Sequence, residues 1–182
     1  MKMLATRKTL RAWLLLVPAV VVAISLLGSA AGARANQGAS GHANLTVGDG
    51  LTRTFSFTAV RQADGTVTGQ ADVNNPSFPI RVHMKIDCLK VDGVNRVIAS
   101  GPITQSTDPQ TIAVGRIGVF AVEDNGEGAN APADRITTIP DYAPPKSCNE
   151  FSFVGDGLRD DTLGQIVRLL RPIEAGQIQV NS

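Results

Sequence analysis

Aromatic residues make up 4% of this 182-residue chain and charged residues 18%; there are two cysteines and two histidines. Each scarcity narrows the reading. Few charges beside 18 glycines and 10 prolines argue against long solvated helices and for short strands joined by turns. Without a C-x-x-C pair, dithiol redox catalysis has no support. Neither G-x-S-x-G nor H-E-x-x-H occurs, so the common nucleophile and zinc motifs are missing. Beyond residue 35 no stretch is apolar enough to cross a membrane, so no stable insertion of that part is expected.

What is present begins with an asymmetry of charge. Lys2, Arg7, Lys8, Arg11 and Arg34 precede residue 36, and no acid does. Taking those five cations from 17 leaves 12 bases against 16 acids, a net of −4 for the remainder. An acidic remainder with no run of Lys or Arg is a poor partner for nucleic acid, whose binding needs several cations together. The four leading cations, an uncharged run from Ala12 to Leu27 broken by Pro18, and the small residues from Gly28 to Ala35 compose a secretory signal. Ala33-Arg34-Ala35 fits the small-x-small pattern, with cleavage between Ala35 and Asn36; Ala31-Gly32-Ala33 is a second fit. The expected organisation is a signal peptide at 1–35, a flexible lead-in at 36–42, and one β-rich domain at 43–182, secreted, periplasmic or at the cell surface.

Cys88 and Cys148 both fall in the exported part. An even count in an oxidising compartment favours a bridge, the alternative being two separate thiols. Closing a loop of about 60 residues stabilises by roughly 4 kcal/mol in the chain-entropy model.

Period-two alternation runs through the domain. Leu51, Phe55, Phe57 and Ala59 share one face, with Thr52, Thr54, Ser56 and Thr58 on the other. Asp64-Gly65 then separates this run from Thr66–Val73, the pattern of a hairpin turn. Gly69 and Ala71 leave room for Phe55 and Phe57. Ile80 to Cys88 alternates again, Asp92-Gly93 is a second hairpin turn, and Thr111 to Val122 reads as a long strand buried on both faces or bent at a glycine. Pro140 to Ser147 is a linker, Phe151 to Val154 a strand, and Leu158 to Leu170 partly fits helical spacing. Gly176 to Val180 closes the sheet. The pattern predicts an all-β fold, a small antiparallel barrel of about eight strands, with a β-sandwich as the alternative.

The runs Leu51–Phe57, Ala63–Gly69 and Cys88-Leu89, and above all the loop Val122–Asp134, resemble a group of exported bacterial β-rich proteins with no assigned function. The resemblance covers most of the exported part. It implies an exported bacterial β-domain and supplies no site residues.

The loop is the most distinctive segment. Asp124, Asn125, Glu127 and Asp134 offer oxygen ligands, and Gly126 and Gly128 allow a tight backbone, which suits Ca²⁺. The spacing is not that of an EF-hand, and a polar turn explains the same residues. His83 lies among Arg81, Lys85 and Asp87 on a polar strand face, Asp160-Asp161 is an adjacent acid pair, and Asn44-Leu45-Thr46 is a glycosylation sequon. No catalytic, metal or cofactor residue is assigned. The leading expectation is a non-catalytic exported domain, structural or binding an unidentified ligand or protein. The alternatives are an enzyme whose residues converge at a barrel mouth or cleft, and a calcium-stabilised adhesion module.

Overall fold

The computed structural model describes residues 36–75, 80–138 and 146–182, with the backbone alone at 141–142. The expected signal segment, 1–35, and the Ala35 side of the expected cleavage point lie outside the described residues. Alternation yields strands almost throughout: β1 (Gln37–Thr46), β2 (Thr52–Arg61), β3 (Val67–Asn75), β4 (Ile80–Ile86), β5 (Cys88–Asp92), β6 (Arg96–Ser106), β7 (Ile117–Glu123), β8 (Arg135–Ile136), β9 (Asp141–Tyr142), β10 (Phe151–Val154), β11 (Gly157–Asp160), β12 (Gln165–Leu169), β13 (Arg171–Pro172) and β14 (Ala175–Asn181). Among the described residues there is one 3₁₀ turn, Cys148–Glu150, and no α-helix.

Nine strands follow one another antiparallel in the order β13-β8-β7-β6-β4-β3-β2-β1-β14, curled into a half-barrel, with β5 on β6 and β9 on β7. A second sheet, β10-β11-β12, is separate. The all-β expectation holds, with more and shorter strands than the eight foreseen. Both Asp-Gly hairpins form, joining β2 to β3 and β5 to β6.

Four expectations are corrected. Residues 37–42 are strand rather than flexible lead-in, because β2 and β14 pair β1 from both sides and satisfy its backbone. The stretch 158–170 is the β11–β12 hairpin rather than a helix: Asp160 Oδ1 accepts from the N–H groups of Thr162 and Leu163 and so turns the chain. Residues 111–116 form turns, with Gly115 at φ +89°, so the expected long strand begins only at Ile117. The Ile80–Cys88 run divides at Asp87. Up to Ile86 the chain is β4 and pairs the far half of β6; from Cys88 it is β5 and pairs the near half. Gly101 sits at that corner, where a Cβ would come within 1.9 Å of the Lys85 carbonyl oxygen, so only glycine allows the approach.

The inner core fills the curl. Phe57 and Phe55 pack on Phe120 at ring-centroid distances of 5.2 and 5.7 Å, with Met84, Ile86, Val97 and Ile103 also buried. The room beside Gly69 is taken by backbone instead of these rings, since a Cβ there would meet Thr58 O at 2.2 Å. β6 and β7 are buried on both faces: Ile98, Val119 and Ala121 look outward and pack under Phe151 and Leu158 of the second sheet. Cys88 and Cys148 form a disulfide, Cα–Cα 5.7 Å, that staples the 3₁₀ turn beside β10 to β5. Its loop of 60 residues contributes roughly 4 kcal/mol by restricting the unfolded chain.

Candidate functional site

A half-barrel exposes two places where a ligand can enter: the seam between its ends, and its open mouth. The acidic loop belongs to the seam. Along β14 alternate backbone N–H groups point toward β1; those of Ile178 and Val180 point away from it. Ile178 N–H donates to Asp134 Oδ2 at 2.8 Å, and Val180 N–H to Asp124 Oδ2 at 2.9 Å. The second oxygens hold the loop itself: Asp134 Oδ1 accepts from Asn125 N–H at 2.9 Å, and Asp124 Oδ1 from Gly126 N–H at 2.8 Å. Glu127 accepts from the Gln177 and Gln179 amides. The carboxylates offered as calcium ligands thus satisfy the edge of β14. The two ends of the sheet are joined by side chains here, not by a backbone ladder. Among the described residues no group of three or more acids, histidines or cysteines is placed to hold a metal ion.

The other sequence candidates are also absorbed by structure. Asp160 is fully buried; burial pushes its carboxyl up, but hydrogen bonds from Lys146, Thr162 and Leu163 together hold it below the usual carboxylate value. Asp161 accepts from Ser152 Oγ at 2.6 Å and Arg159 Nε at 3.0 Å, and the Ser152 bond leads in lowering its pKa. The two acids serve different partners and do not face one another's chemistry. His83 pairs with Asp72 across β3–β4, Nδ1 to Oδ1 2.8 Å. Ser56 lies opposite Asp72 on the far side, so the carboxylate stands between hydroxyl and imidazole. That order cannot let the imidazole take a serine proton. Asn44 sits in β1, paired on both sides, with Oδ1 buried, which is not the loop setting of a glycosylated asparagine.

The mouth is different. A cavity of ≈520 Å³ opens there, within the range of small-molecule sites. Its floor is apolar: Phe55 from β2, Val73 from β3, and Ile80 and Val82 from β4. Alternation puts these residues on the inner face, and the curl brings the three strands around one space. β12 contributes Ile166 and Leu169, whose side chains remain 52% and 55% exposed. Asn75 and Thr138 are the uncharged polar side chains of the lining.

Three arginines complete it. Arg53, Arg168 and Arg171 line the cavity, and no Asp, Glu, His or Cys does so among the described residues. Arg53 is anchored: Nη1 donates to Asp49 Oδ1 at 2.7 Å and to Leu51 O at 2.8 Å, and Nη2 to Asp49 Oδ2 at 2.5 Å. Arg53 in turn holds the Asp49 carboxyl down to about 2. Arg168 Nη1 donates to Val167 O at 2.8 Å. The Arg171 side chain has no hydrogen-bond partner among the described residues, and its guanidinium lies beside Gly48. Sequence reading missed this cluster because the three residues span 118 positions and none neighbours another basic residue. The one available signal was that Leu158–Leu170 carried apolar residues without a settled element.

Among the described residues no helix is long and apolar enough to cross a membrane. Searches against protein-family models, curated proteins and solved structures return no match for this chain.

Proposed function

We propose that this chain is an exported β-domain that binds a small apolar molecule in the mouth of its half-barrel. The observation that carries the reading is the cavity itself: ≈520 Å³, floored by Phe55, Val73, Ile80 and Val82. A large pocket with an apolar floor and a few convergent polar groups is the usual form of a small-molecule site. Among the described residues the lining carries no acid–base pair and its one hydroxyl is Thr138, which supports binding over catalysis at this place. Taken with its side-chain seam, the half-barrel functions as the small barrel expected from the alternation. The disulfide suits an oxidising compartment, which supports export.

The test uses an uncharged fluorescent probe, N-phenyl-1-naphthylamine, with the disulfide-bonded protein. Saturable enhancement of its emission at one probe per chain is expected. Val82→Trp fills the floor and should abolish the enhancement, while its circular dichroism stays that of the unchanged protein. No enhancement with the unchanged protein, or enhancement undiminished by Val82→Trp together with Val73→Trp, sinks the reading.

A further inference from the structure

The mouth joins an aliphatic floor to three guanidinium groups in a domain whose net charge from residue 36 onward is −4. We infer that its ligand is a single-chain amphiphile with an anionic head: the chain lies on Val73, Ile80 and Val82, and the head meets Arg171. This inference rests on the pocket reading above and gives it a ligand class.

Charge decides the head. Among the described residues the lining holds three cations and no anion; adding Asp49, which pairs with Arg53 without lining the cavity, leaves these groups at +2. Arg53 has two of its donors on Asp49 and one bond to Leu51 O, so it is positioned and largely satisfied. Arg171 keeps its planar fork of donors uncommitted among the described residues, the geometry that meets a carboxylate or a similar oxyanion two bonds at a time. A neutral head would leave that fork to water. A polyanion with no apolar part would gain nothing from the floor.

Shape decides the tail. Among the described residues the floor is chiefly aliphatic, and its one ring, Phe55, is turned against Phe120 at 5.7 Å instead of offering an open face for stacking. A volume of ≈520 Å³ is that of roughly 17 water molecules at about 30 Å³ each, which suits one chain of moderate length and not a two-chain lipid. Ile166 and Leu169 on β12 are more than half exposed beside this space, and a chain laid beneath them would cover both. That uncovered apolar strip next to the cations is what a ligand with one apolar and one anionic end removes from water.

The experiment compares decanoate with 1-decanol, displacing N-phenyl-1-naphthylamine from the disulfide-bonded protein at pH 7.4 and low salt. Decanoate is expected to bind about tenfold tighter than the alcohol, the worth of one charge-assisted contact at a partly exposed site. Arg171→Gln should bring the acid-to-alcohol ratio to near one, and Arg171→Lys should restore part of it. Shortening decanoate to octanoate should weaken binding roughly fifteenfold, about fourfold for each methylene removed from the floor. Equal binding of acid and alcohol, or a ratio that survives Arg171→Gln, overturns the anionic head and leaves the apolar pocket standing. An affinity indifferent to chain length overturns the single-chain tail. If neither compound displaces a probe that does bind, the amphiphile class fails. If the probe itself does not bind, the pocket reading fails first.

Discussion

The seam and the mouth of this half-barrel are both polar clusters on one sheet, and they use their charges in opposite ways. At the seam Asp124, Asp134 and Glu127 have their oxygens on backbone and amide donors of β14 and of the loop itself. At the mouth three arginines surround an apolar floor, and Arg171 is uncommitted among the described residues. Charges that are satisfied within the chain hold the fold; a charge left facing a cavity is available to something else. The contrast separates a structural cluster from a binding one without any motif, because it asks only where each hydrogen bond goes.

The largest expected effect breaks the seam. Asp134 is buried, and its carboxylate serves Ile178 N–H and Asn125 N–H from its two oxygens. Asp134→Ala removes a charge-assisted bond and leaves the buried Ile178 N–H without a partner, so a loss of about 3 kcal/mol is expected in chemical denaturation. Arg171→Ala at the mouth should stay within about 0.5 kcal/mol of the unchanged protein, as an exposed side chain without partners does. Equal losses at the two places would erase the distinction. Asp124→Ala should fall between them, at about 1–2 kcal/mol, since Asp124 is only half-buried and serves Val180 N–H from a more open position.

Much of the frame was legible in the sequence, and little of the site was. Alternation at Leu51–Ala59 and Ile80–Ile86, with Asp64-Gly65 and Asp92-Gly93 between runs, marks strands and hairpins because a period of two and a turn residue are local properties. The cysteine pair was legible because two cysteines in one chain have one way to join. The mouth was not legible. Arg53 follows the β1–β2 turn, Arg168 and Arg171 lie in β12 and β13, and only the curl of the sheet assembles them. The acidic loop misleads for a related reason. Carboxylates grouped around glycines look alike whether they await a cation or cap a strand edge, and the difference lies in Ile178 and Val180, more than 40 residues away. The β11–β12 hairpin was obscured because Leu158, Ile166, Leu169 and Leu170 divide between a buried face and the exposed wall of the mouth, and the mixture imitates helical spacing.

A smaller effect sharpens the mouth. Asp49 has a folded-state pKa of about 2 against the ordinary 3.8, its Arg53 hydrogen bond being the main cause. A depressed acid contributes its stability above the ordinary value and loses it as pH falls through the folded one. The window therefore runs from about pH 4 down to about pH 2, and above it the Asp49–Arg53 pair stays intact. Anion binding at Arg171 should accordingly be flat from pH 5 to 8 for a ligand ionised throughout, such as decyl sulfate. Asp49→Asn leaves Arg53 without its counter-charge, makes the mouth more positive, and should tighten decyl sulfate a few-fold at low salt. Weakened binding in Asp49→Asn would mean that Arg53 needs its anchor more than the ligand needs the extra charge, and the mouth would then resemble the seam.

The smallest expected effect is none, and it discriminates as sharply as the largest. A calcium-stabilised module loses stability when the ion is removed, because ligation of the native state alone adds RT ln(1 + [L]/Kd) to its folding free energy. Here the loop oxygens are already committed: Asp124 Oδ2 and Asp134 Oδ2 reach outward to β14, and their Oδ1 atoms reach inward to Gly126 and Asn125. A cation drawing these oxygens to one centre would have to strip Ile178 N–H and Val180 N–H of their acceptors, setting each gained ligand against a lost backbone bond. Adding millimolar Ca²⁺ or excess EDTA should therefore leave Tm unchanged within a degree, in the unchanged protein and in Glu127→Gln alike. A rise of several degrees with Ca²⁺, lost in Glu127→Gln, would show that the seam too faces outward and would remove the difference between the two clusters.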